Sequence, residues 1–482
     1  MYQVTVTQNG VSKNSFVYTN NAGNVASAYL NSQLGKTFNF SIFSFFGPVN
    51  IKVAKLGSGA DFATVRPARV GIGKLRCQAG AGNAVVSFNV DKPCKLSIEF
   101  SDDDANNNPL MIFADSVEDK NMVPDKQSST VFLADDSLSL QNIPTDKTVV
   151  YFAPGVHNIG RFKIPLRISQ VYISGGSFIR GYLYADRKNG KPLTINGRGI
   201  LSQNSFPFHY PDANPTNSNS SAWYKAIELT GGSGHLIEGI TLIDGTAFYI
   251  YLGANNSTIS NINVNGFKFN NDALTLIGNY INVKNCFFRD NDDAIVLYTS
   301  NLKVDNCIFW QLNNSIIQLG WRPHSMANNV VSNCDVIHAE WTSGLQENSG
   351  FITAMNALKG QEQQGAVIQN FTISNIYFDT PVTKFLDIRG DRKWGRQDKN
   401  SYTATDKPWI YKNFNFKNIY FHSNSNNDSN LIQIAGFNQD NPITNFNFSN
   451  IFIDGKKMSD DDSFKNMTNG KKNVLNLKLL TN

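Results

Sequence analysis

The chain has 482 residues, more than a single hydrophobic core usually needs, so we expect either two domains or one elongated repeat domain. Hydrophobic residues make up 41% and charged residues 17% of the chain, which argues against intrinsic disorder. The net charge of +5 is spread along the sequence without a block of lysines and arginines, which argues against a nucleic-acid partner. No apolar run reaches about 18 residues, so no membrane span is predicted.

The cysteines and histidines give no indication of a metal site. Five cysteines are too few for a disulfide scaffold, although Cys77 and Cys94 could pair or simply be buried. The six histidines are scattered, without the spacing of metal ligands, so we predict no metal and no organic cofactor. The first residues, MYQVTVTQNG, lack the charged start and apolar core of a signal peptide. Either export does not use that route or a leader has been removed.

Residues 1–135 are predicted to form a β-sandwich domain. Short segments of alternating apolar and polar residues, separated by Gly, Asn and Asp turns, are typical of antiparallel strands. Examples are residues 2–7, 84–90 and 95–100. We expect such segments to pair in two packed antiparallel sheets.

Residues 136–482 are predicted to form a parallel β-helix domain. A unit of the form apolar-x-apolar-x-Asn-apolar-x-apolar recurs at 236–242, 258–264, 281–288, 302–309, 330–336, 371–378, 414–421 and 446–453. Its asparagine falls at positions 261, 285, 306, 333, 375, 418 and 450, with Gly239 in the first copy. A period of roughly twenty residues, made of strands and turns, is the signature of a β-solenoid, and we expect about ten rungs.

Three carboxylates are predicted to meet on neighbouring rungs. The segments 248–252, 272–276, 293–297 and 315–319 align with their final residues one rung apart. This alignment places Asp272 and Asp293 at the same position of adjacent rungs, about 4.8 Å apart along the stack, with Asp292 beside Asp293. Strict alternation would turn Asp272 and Asp293 inward, so the prediction requires each strand to begin just after its aspartate.

This arrangement favours acid–base chemistry. Neighbouring carboxyl groups cannot all ionise freely, so one pKa should rise and create an acid beside a base. Glycoside hydrolysis requires one carboxylic acid to protonate the leaving oxygen and one carboxylate to activate water. Inverting enzymes hold the two groups about 6.5 to 9.5 Å apart, a separation that a pair on adjacent rungs could match. A simple aspartate-rich turn is the alternative interpretation.

Four residues are predicted to bind the substrate around these carboxylates. Gln318 and Trp321 end the next rung, and the tryptophan would offer a flat apolar face to a sugar ring. Tyr249 and Tyr251 end the preceding rung, where alternation places both side chains on the outer surface.

The sequence around the carboxylates resembles a known family. Residues 291–338 contain Asn-Asp-Asp-Ala-Ile-Val-Leu-Tyr, Ile-Phe-Trp, Ile-Ile-Gln-Leu-Gly-Trp and Asp-Val-Ile-His, and are similar to the dextranase and isopullulanase family, glycoside hydrolase family 49. The resemblance implies a β-sandwich followed by a right-handed parallel β-helix, and an inverting endo-acting hydrolase of an α-glucan of the dextran or pullulan type. By motif position it implies Asp292 as general acid, with Asp272 or Asp293 activating the water. It also implies a polysaccharide substrate and an extracellular or cell-surface location.

Two other functions stay open at this stage. A polygalacturonase-like hydrolase shares the solenoid and the paired aspartates, but its Gly-His-Gly motif one rung further on is missing from Leu319-Gly-Trp-Arg-Pro-His324. A non-catalytic β-solenoid, either a glycan-binding protein or a surface or viral coat or fibre, would also explain the regular Asn and Phe ladders. Such a protein would tolerate replacement of the three aspartates without loss of function.

Overall fold

The computed structural model of the chain consists almost entirely of β-strands, arranged in two units. It describes residues 1–22, 35–80, 82–102, 108–206, 224–268, 270–341, 348–356, 365–393, 407–422, 431–459, 464–465 and 467–480. The helical elements include a short α-helix, α1 (Ser137–Gln141), and two 3-10 turns at Ala68–Val70 and Lys120–Met122. No helix within the described residues is long and apolar enough to cross a membrane.

The first unit is a sandwich of two sheets. Its strands are β1 (Tyr2–Gln8), β2 (Val11–Ser15), β3 (Val17–Asn21), β4 (Thr37–Phe45), β5 (Val49–Leu56), β6 (Phe62–Arg66), β7 (Gly73–Arg76), β8 (Gln78–Gly80), β9 (Asn83–Val90), β10 (Cys94–Phe100) and β11 (Leu110–Ser116). The strand orders are β2–β1–β5–β9–β8 and β3–β4–β11–β10–β6–β7. The predicted β-sandwich is therefore confirmed, with one difference: β4 and β11 pair in parallel.

Alternating burial explains why these segments form a sandwich. In β5, Val49, Ile51 and Val53 are buried while Lys52 between them is exposed. These valine and isoleucine side chains share one apolar core with Leu96 of the opposite sheet. Both Cys77 and Cys94 are free thiols, so the disulfide considered from the sequence does not form.

The second unit is a long stack of parallel strands. Its strands are β12 (Val131–Ala134), β13 (Val149–Phe152), β14 (Gly155–Lys163), β15 (Gln170–Ile173), β16 (Ser177–Asp186), β17 (Thr194–Gly197), β18 (Ile200–Ser202), β19 (Ile227–Ser233), β20 (Leu236–Glu238), β21 (Thr241–Ile243), β22 (Ile250–Asn255), β23 (Thr258–Ser260), β24 (Asn263–Asn265), β25 (Leu274–Asn279), β26 (Asn282–Lys284), β27 (Phe287–Asp290), β28 (Ile295–Ser300), β29 (Lys303–Asp305), β30 (Ile308–Gln311), β31 (Ser315–Gln318), β32 (Met326–Ala339), β33 (Gly350–Asn356), β34 (Ala366–Phe378), β35 (Leu386–Lys393), β36 (Trp409–Phe421), β37 (Ile432–Ala435), β38 (Ile443–Ile453), β39 (Lys456–Lys457), β40 (Thr468–Lys472) and β41 (Val474–Leu480). The last strand of the sandwich ends at Ser116. The next strand, β12, pairs with β13 and so belongs to the β-helix.

Three columns of parallel strands run along this stack. The site sheet contains β14, β16, β19, β22, β25, β28, β31, β33, β35, β37 and β40. The sandwich-facing sheet contains β16, β18, β21, β24, β27, β30 and β32. The outer sheet continues from β13 through β23, β26 and β29 to β41. Each turn of chain adds one strand to each column, so the predicted parallel β-helix is confirmed.

Asparagine ladders hold the rungs in register. Each asparagine of the predicted repeat has a positive φ, for example 56° at Asn375, a left-handed conformation that asparagine tolerates well. The side-chain amide of Asn375 donates to Asn333 at 2.9 Å, and Asn418 donates to Asn375 at 2.7 Å. A second ladder, which the sequence analysis did not identify, lies at the other edge of the outer sheet. Its members with positive φ and mutual amide bonds are Asn301, Asn328, Asn370, Asn413, Asn445 and Asn476.

The sandwich packs against the middle of the β-helix through aromatic rings. The ring of Phe287 in β27 lies 5.3 Å from Phe113 and 6.3 Å from Phe38, both in the sandwich. The guanidinium of Arg289 is fully buried 4.9 Å from the ring of Phe38. Because β27 ends at Asp290, this junction braces the strand that leads directly into Asp292.

Candidate active site

The three predicted carboxylates lie in turns between the sandwich-facing sheet and the site sheet. Strand β25 begins at Leu274 and β28 begins at Ile295, so Asp272 and Asp293 each precede a site-sheet strand by two residues. The backbone N–H of Ala273 donates to the carbonyl of Asp293 at 3.1 Å, which stacks the two turns directly on each other. The requirement that each strand begin after its aspartate is therefore met.

Asp292 is held by three hydrogen-bond donors. One carboxylate oxygen accepts from the backbone N–H of Asn270 at 2.9 Å. The other accepts from the N–H of Asp293 at 2.9 Å and from the side-chain amide of Asn314. Only 4% of Asp292 is exposed, so its orientation is fixed by these bonds.

Asp293 is held just as firmly by residues of later rungs. One oxygen accepts from the backbone N–H of Ser315 at 3.0 Å and from the amide of Asn348 at 3.2 Å. The other oxygen accepts from the indole N–H of Trp321 at 3.0 Å. By contrast, among the described residues no other residue donates a hydrogen bond to the carboxyl of Asp272. Asp272 is 6% exposed.

Burial and mutual repulsion raise the pKa values of the whole cluster. Burial raises the pKa of Asp292 to about 6, although its three hydrogen bonds act in the opposite direction. Burial and the charge of Asp292 raise the pKa of both Asp272 and Asp293 well above the usual value. The cluster thus retains protons at a pH where an isolated aspartate is ionised, as acid catalysis requires.

A fourth carboxyl, Asp290, belongs to the same cluster and was missed from the sequence. It is fully buried, and its oxygens have no well-formed hydrogen bond. The nearby N–H of Ala273 lowers its pKa but donates instead to the carbonyl of Asp293. Burial and the charges of Asp292 and Asp293 raise the pKa of Asp290 well above its ordinary value. Its position at the end of β27, directly before the Asn-Asp-Asp segment, was the available signal.

The structure corrects two of the four predicted substrate-binding residues. Tyr249 is fully buried in the apolar core, and its hydroxyl donates to the carbonyl of Asn265 at 2.7 Å, so it does not face the cleft. Strand β22 begins at Ile250, so alternation does not extend back to position 249. Gln318 is also fully buried, and its amide donates to the carbonyl of Gly320 while its oxygen accepts from Thr353.

The other two predicted residues remain available to a ligand. Tyr251 is partly exposed on the outer surface of the site sheet, with the ammonium of Lys225 5.3 Å from its ring centre. Trp321 is also partly exposed, and its backbone N–H donates to the hydroxyl of Tyr298 at 2.9 Å. Trp321 therefore joins Asp293 to the surface where a sugar ring would lie.

The described part of the chain contains no group of three or more His, Cys, Asp or Glu side chains arranged to hold a metal ion. The available chemistry is that of carboxyl groups with raised pKa values on adjacent rungs, beside the partly exposed indole of Trp321. Such a site can donate one proton and accept another across a bound substrate.

Known proteins share this architecture. No family model matches the sequence. A dextranase from Arthrobacter globiformis is 20% identical over 410 residues, covering 74% of this chain and 64% of that protein. A dextranase from Arthrobacter sp. strain CB-8 is 20% identical over 385 residues, covering 70% of this chain and 60% of that protein. The chain thus spans somewhat less than two thirds of the length of these relatives.

One solved structure matches both units at once. Dex49A from Penicillium minioluteum superposes with a TM-score of 0.76 at 21% identity, covering 98% of this chain and 92% of that one. The fold is therefore that of Dex49A, including the β-sandwich and the parallel β-helix. The resemblance to dextranases noted at residues 291–338 is confirmed: the chain is similar to two dextranases and to Dex49A.

Proposed function

We propose that this chain is an endo-acting, inverting glycoside hydrolase that cleaves an α-glucan of the dextran type. The observation that carries the proposal is the stack of buried carboxyl groups at the start of β25 and β28, with the pKa of Asp292 raised to about 6. The proteins that share this fold and are named dextranases support the choice of substrate.

Asp292 is the proposed general acid. Its raised pKa keeps it partly protonated in mildly acidic solution, and an acid with a pKa near the working pH is the most effective proton donor. The donors on both of its oxygens also stabilise the carboxylate that forms after the proton has moved to the glycosidic oxygen.

Asp272 is the proposed base, and Asp293 its supporting partner. Both oxygens of Asp293 already accept hydrogen bonds from Ser315, Asn348 and Trp321. Asp272 accepts none from another described residue, so its lone pairs are open to water once it is ionised. Because the pKa of Asp272 is also raised, its role as base requires the proton that the cluster retains to lie on Asp292 when substrate is bound. In a single displacement, water activated by Asp272 attacks the anomeric carbon on the face opposite to the leaving oxygen, which inverts its configuration.

Trp321 and Tyr251 are the proposed sugar contacts beside this centre. Each presents an aromatic ring at the surface of the site sheet, on either side of the rungs that carry the carboxylates. The substrate is a polysaccharide, and no metal or organic cofactor enters the proposed reaction. A polymer of this size does not cross a membrane, so we place the reaction outside the cell or at its surface, which cell fractionation would test.

Reducing-sugar release from dextran, pullulan and polygalacturonate tests the proposal. We expect release from dextran, and its loss in Asp292→Asn and Asp272→Asn variants that retain the β-sheet circular dichroism spectrum. Proton NMR of the first products should show the inverted anomer. Release from polygalacturonate alone would favour the polygalacturonase-like function, and no release by a folded chain would favour a binding or structural solenoid.

A further inference from the structure

A continuous column of outward-facing residues crosses the site sheet along the axis of the β-helix. Tyr184 pairs with Glu228, Glu228 with Tyr251, and Tyr251 with Thr275. Thr275 lies in β25, the strand that directly follows Asp272. At about 4.8 Å for each rung, Tyr184 lies three rungs, or about 14 Å, from the rung of the catalytic cluster.

An aromatic cluster surrounds the far end of this column. The ring of Tyr182, which is 3% exposed, forms its floor. Tyr184, Phe206 and Tyr224 lie around it with ring centres 5.4, 5.7 and 5.2 Å from that of Tyr182, and all three are partly exposed. We call Tyr182, Tyr184, Phe206, Tyr224 and Arg161 the distal aromatic cluster.

Arg161 gives this cluster a polar donor at its surface. Its guanidinium lies 5.5 Å from the ring centre of Tyr182 and 5.4 Å from that of Tyr224, and its Nε donates to the hydroxyl of Tyr182 at 2.5 Å. The side chain is exposed. Aromatic faces beside an exposed guanidinium and tyrosine hydroxyls match a sugar ring, which has apolar faces and a rim of hydroxyl groups.

The surface between the distal aromatic cluster and the carboxylates also combines an aromatic ring with charged side chains. Lys225, the residue after Tyr224, forms an ion pair with Glu228 at 3.4 Å and places its ammonium 5.3 Å from the ring centre of Tyr251. Beyond the carboxylates, Tyr298 and Trp321 continue the series of rings. Partly exposed aromatic rings therefore occur on this face at the distal aromatic cluster, at Tyr251 and at Trp321, with the buried Thr275 between the last two.

We propose that the distal aromatic cluster is a second glucan-binding subsite, which holds the unreacted part of the same chain several sugar units from the bond that is cleaved. This inference rests on the proposed hydrolase function. Contacts that bind substrate and transition state equally act on KM and not on kcat, and this is the effect that we assign to the distal aromatic cluster. Its contacts also act only on chains long enough to reach three rungs from Asp272.

Substrate length tests this subsite. Steady-state kinetics are measured on isomaltooligosaccharides of increasing length for the unaltered chain and for Tyr184→Ala and Tyr224→Ala. The expected result is a KM raised about tenfold on long oligosaccharides and on dextran, with kcat kept and with short oligosaccharides unaffected. The matched control is Tyr420→Ala, which removes a partly exposed ring that stacks on Tyr377 at 4.7 Å in the second half of β36, where that strand continues the sandwich-facing sheet. Equal losses at every length, or the same effect in Tyr420→Ala, would overturn the proposal.

A binding measurement separates this inference from the hydrolase proposal. Retention of the Asp292→Asn chain on immobilised dextran, pullulan and polygalacturonate is compared with that of the Asp292→Asn/Tyr184→Ala and Asp292→Asn/Tyr420→Ala chains. If the unaltered chain cleaves no glucan, the hydrolase proposal fails, yet weaker retention caused only by Tyr184→Ala still supports a glycan subsite. Equal retention of the two double variants refutes the subsite even where dextran is cleaved.

Discussion

Replacement of Asp292 by asparagine should separate catalysis from stability, because this carboxyl is both the proposed acid and a buried ionisable group. Its pKa rises from 3.8 to about 6 in the folded chain because it is buried. A shift of this size corresponds to about 3 kcal/mol. Because the folded pKa lies above the unfolded one, this contribution to stability is fully present below about pH 4 and is lost as the pH rises through 6.

The asparagine variant should therefore change the sign of its effect with pH. An amide cannot ionise, so the loss of about 3 kcal/mol above pH 6 disappears. The amide nitrogen also replaces one acceptor oxygen, so one of the bonds from Asn270, Asp293 or Asn314 is lost at a cost of about 1 to 3 kcal/mol. We expect the variant to be less stable than the unaltered chain at about pH 4.5, and equally stable or up to about 2 kcal/mol more stable at about pH 8.

Urea denaturation at a series of pH values measures this difference, and reducing-sugar release from dextran measures activity. Loss of a general acid should lower kcat by about 10² to 10⁴. The control variant Asp335→Asn breaks the ion pair with Arg69, at 2.7 Å, outside the site and should lower stability with kcat unchanged. A stability difference that does not vary with pH would refute the raised pKa, and retained activity would refute the acid role.

Further predictions concern the partners of the carboxylates and the asparagine ladder. Asn314→Leu removes the amide that donates to Asp292, a hydrogen bond that favours the ionised carboxylate. The alkaline limb of the pH profile of kcat should therefore move up by about one pH unit. An unmoved limb would show that this bond does not tune the acid. Trp321→Phe removes the indole donor to the buried carboxyl of Asp293, so it should lower kcat about tenfold and cost about 1 to 3 kcal/mol of stability, as steady-state kinetics and urea denaturation would show. Asn375 has a φ of 56°, so Asn375→Ala should cost about 2 kcal/mol in urea denaturation and Asn375→Gly clearly less; equal costs would exclude the backbone explanation.

The repeating part of the fold could be predicted from the sequence because each rung is a local unit. A stretch of roughly twenty residues returns the chain to the same place, so the repeat spacing alone gives the strand pairing. For the same reason the alignment of Asp272 with Asp293 follows from counting residues between equivalent leucines. The observed stacking of the two turns agrees with that count.

Side-chain direction at the turns could not be predicted in this way. Alternation holds only within a strand, and Tyr249 precedes the first residue of β22, so its side chain enters the core. Gln318 does lie on the outer side of β31, but it is fully buried, and its oxygen accepts a hydrogen bond from Thr353, its partner in the neighbouring strand β33.

Hydrogen-bond partners that are distant along the chain also could not be predicted from the sequence. Asn348 donates to Asp293 from 55 residues away, after an interruption in the repeat, and nothing in its neighbours marks it. Asp290 differs, since it stands in the same short segment as Asp292 and Asp293. Its burial was hidden because a turn next to two aspartates is normally solvated.

The stacking of the rungs has a consequence for how this molecule could change over time. Backbone pairing joins each rung to its two neighbours, so a loop lengthened at one turn leaves the backbone hydrogen bonds two rungs away intact. Within the site sheet, the rungs from β25 to β31 therefore carry the proposed reaction, and the other rungs only extend the surface beside it. Changes in those other rungs can therefore alter which glycan is bound, while the carboxyl groups between β25 and β31 are kept.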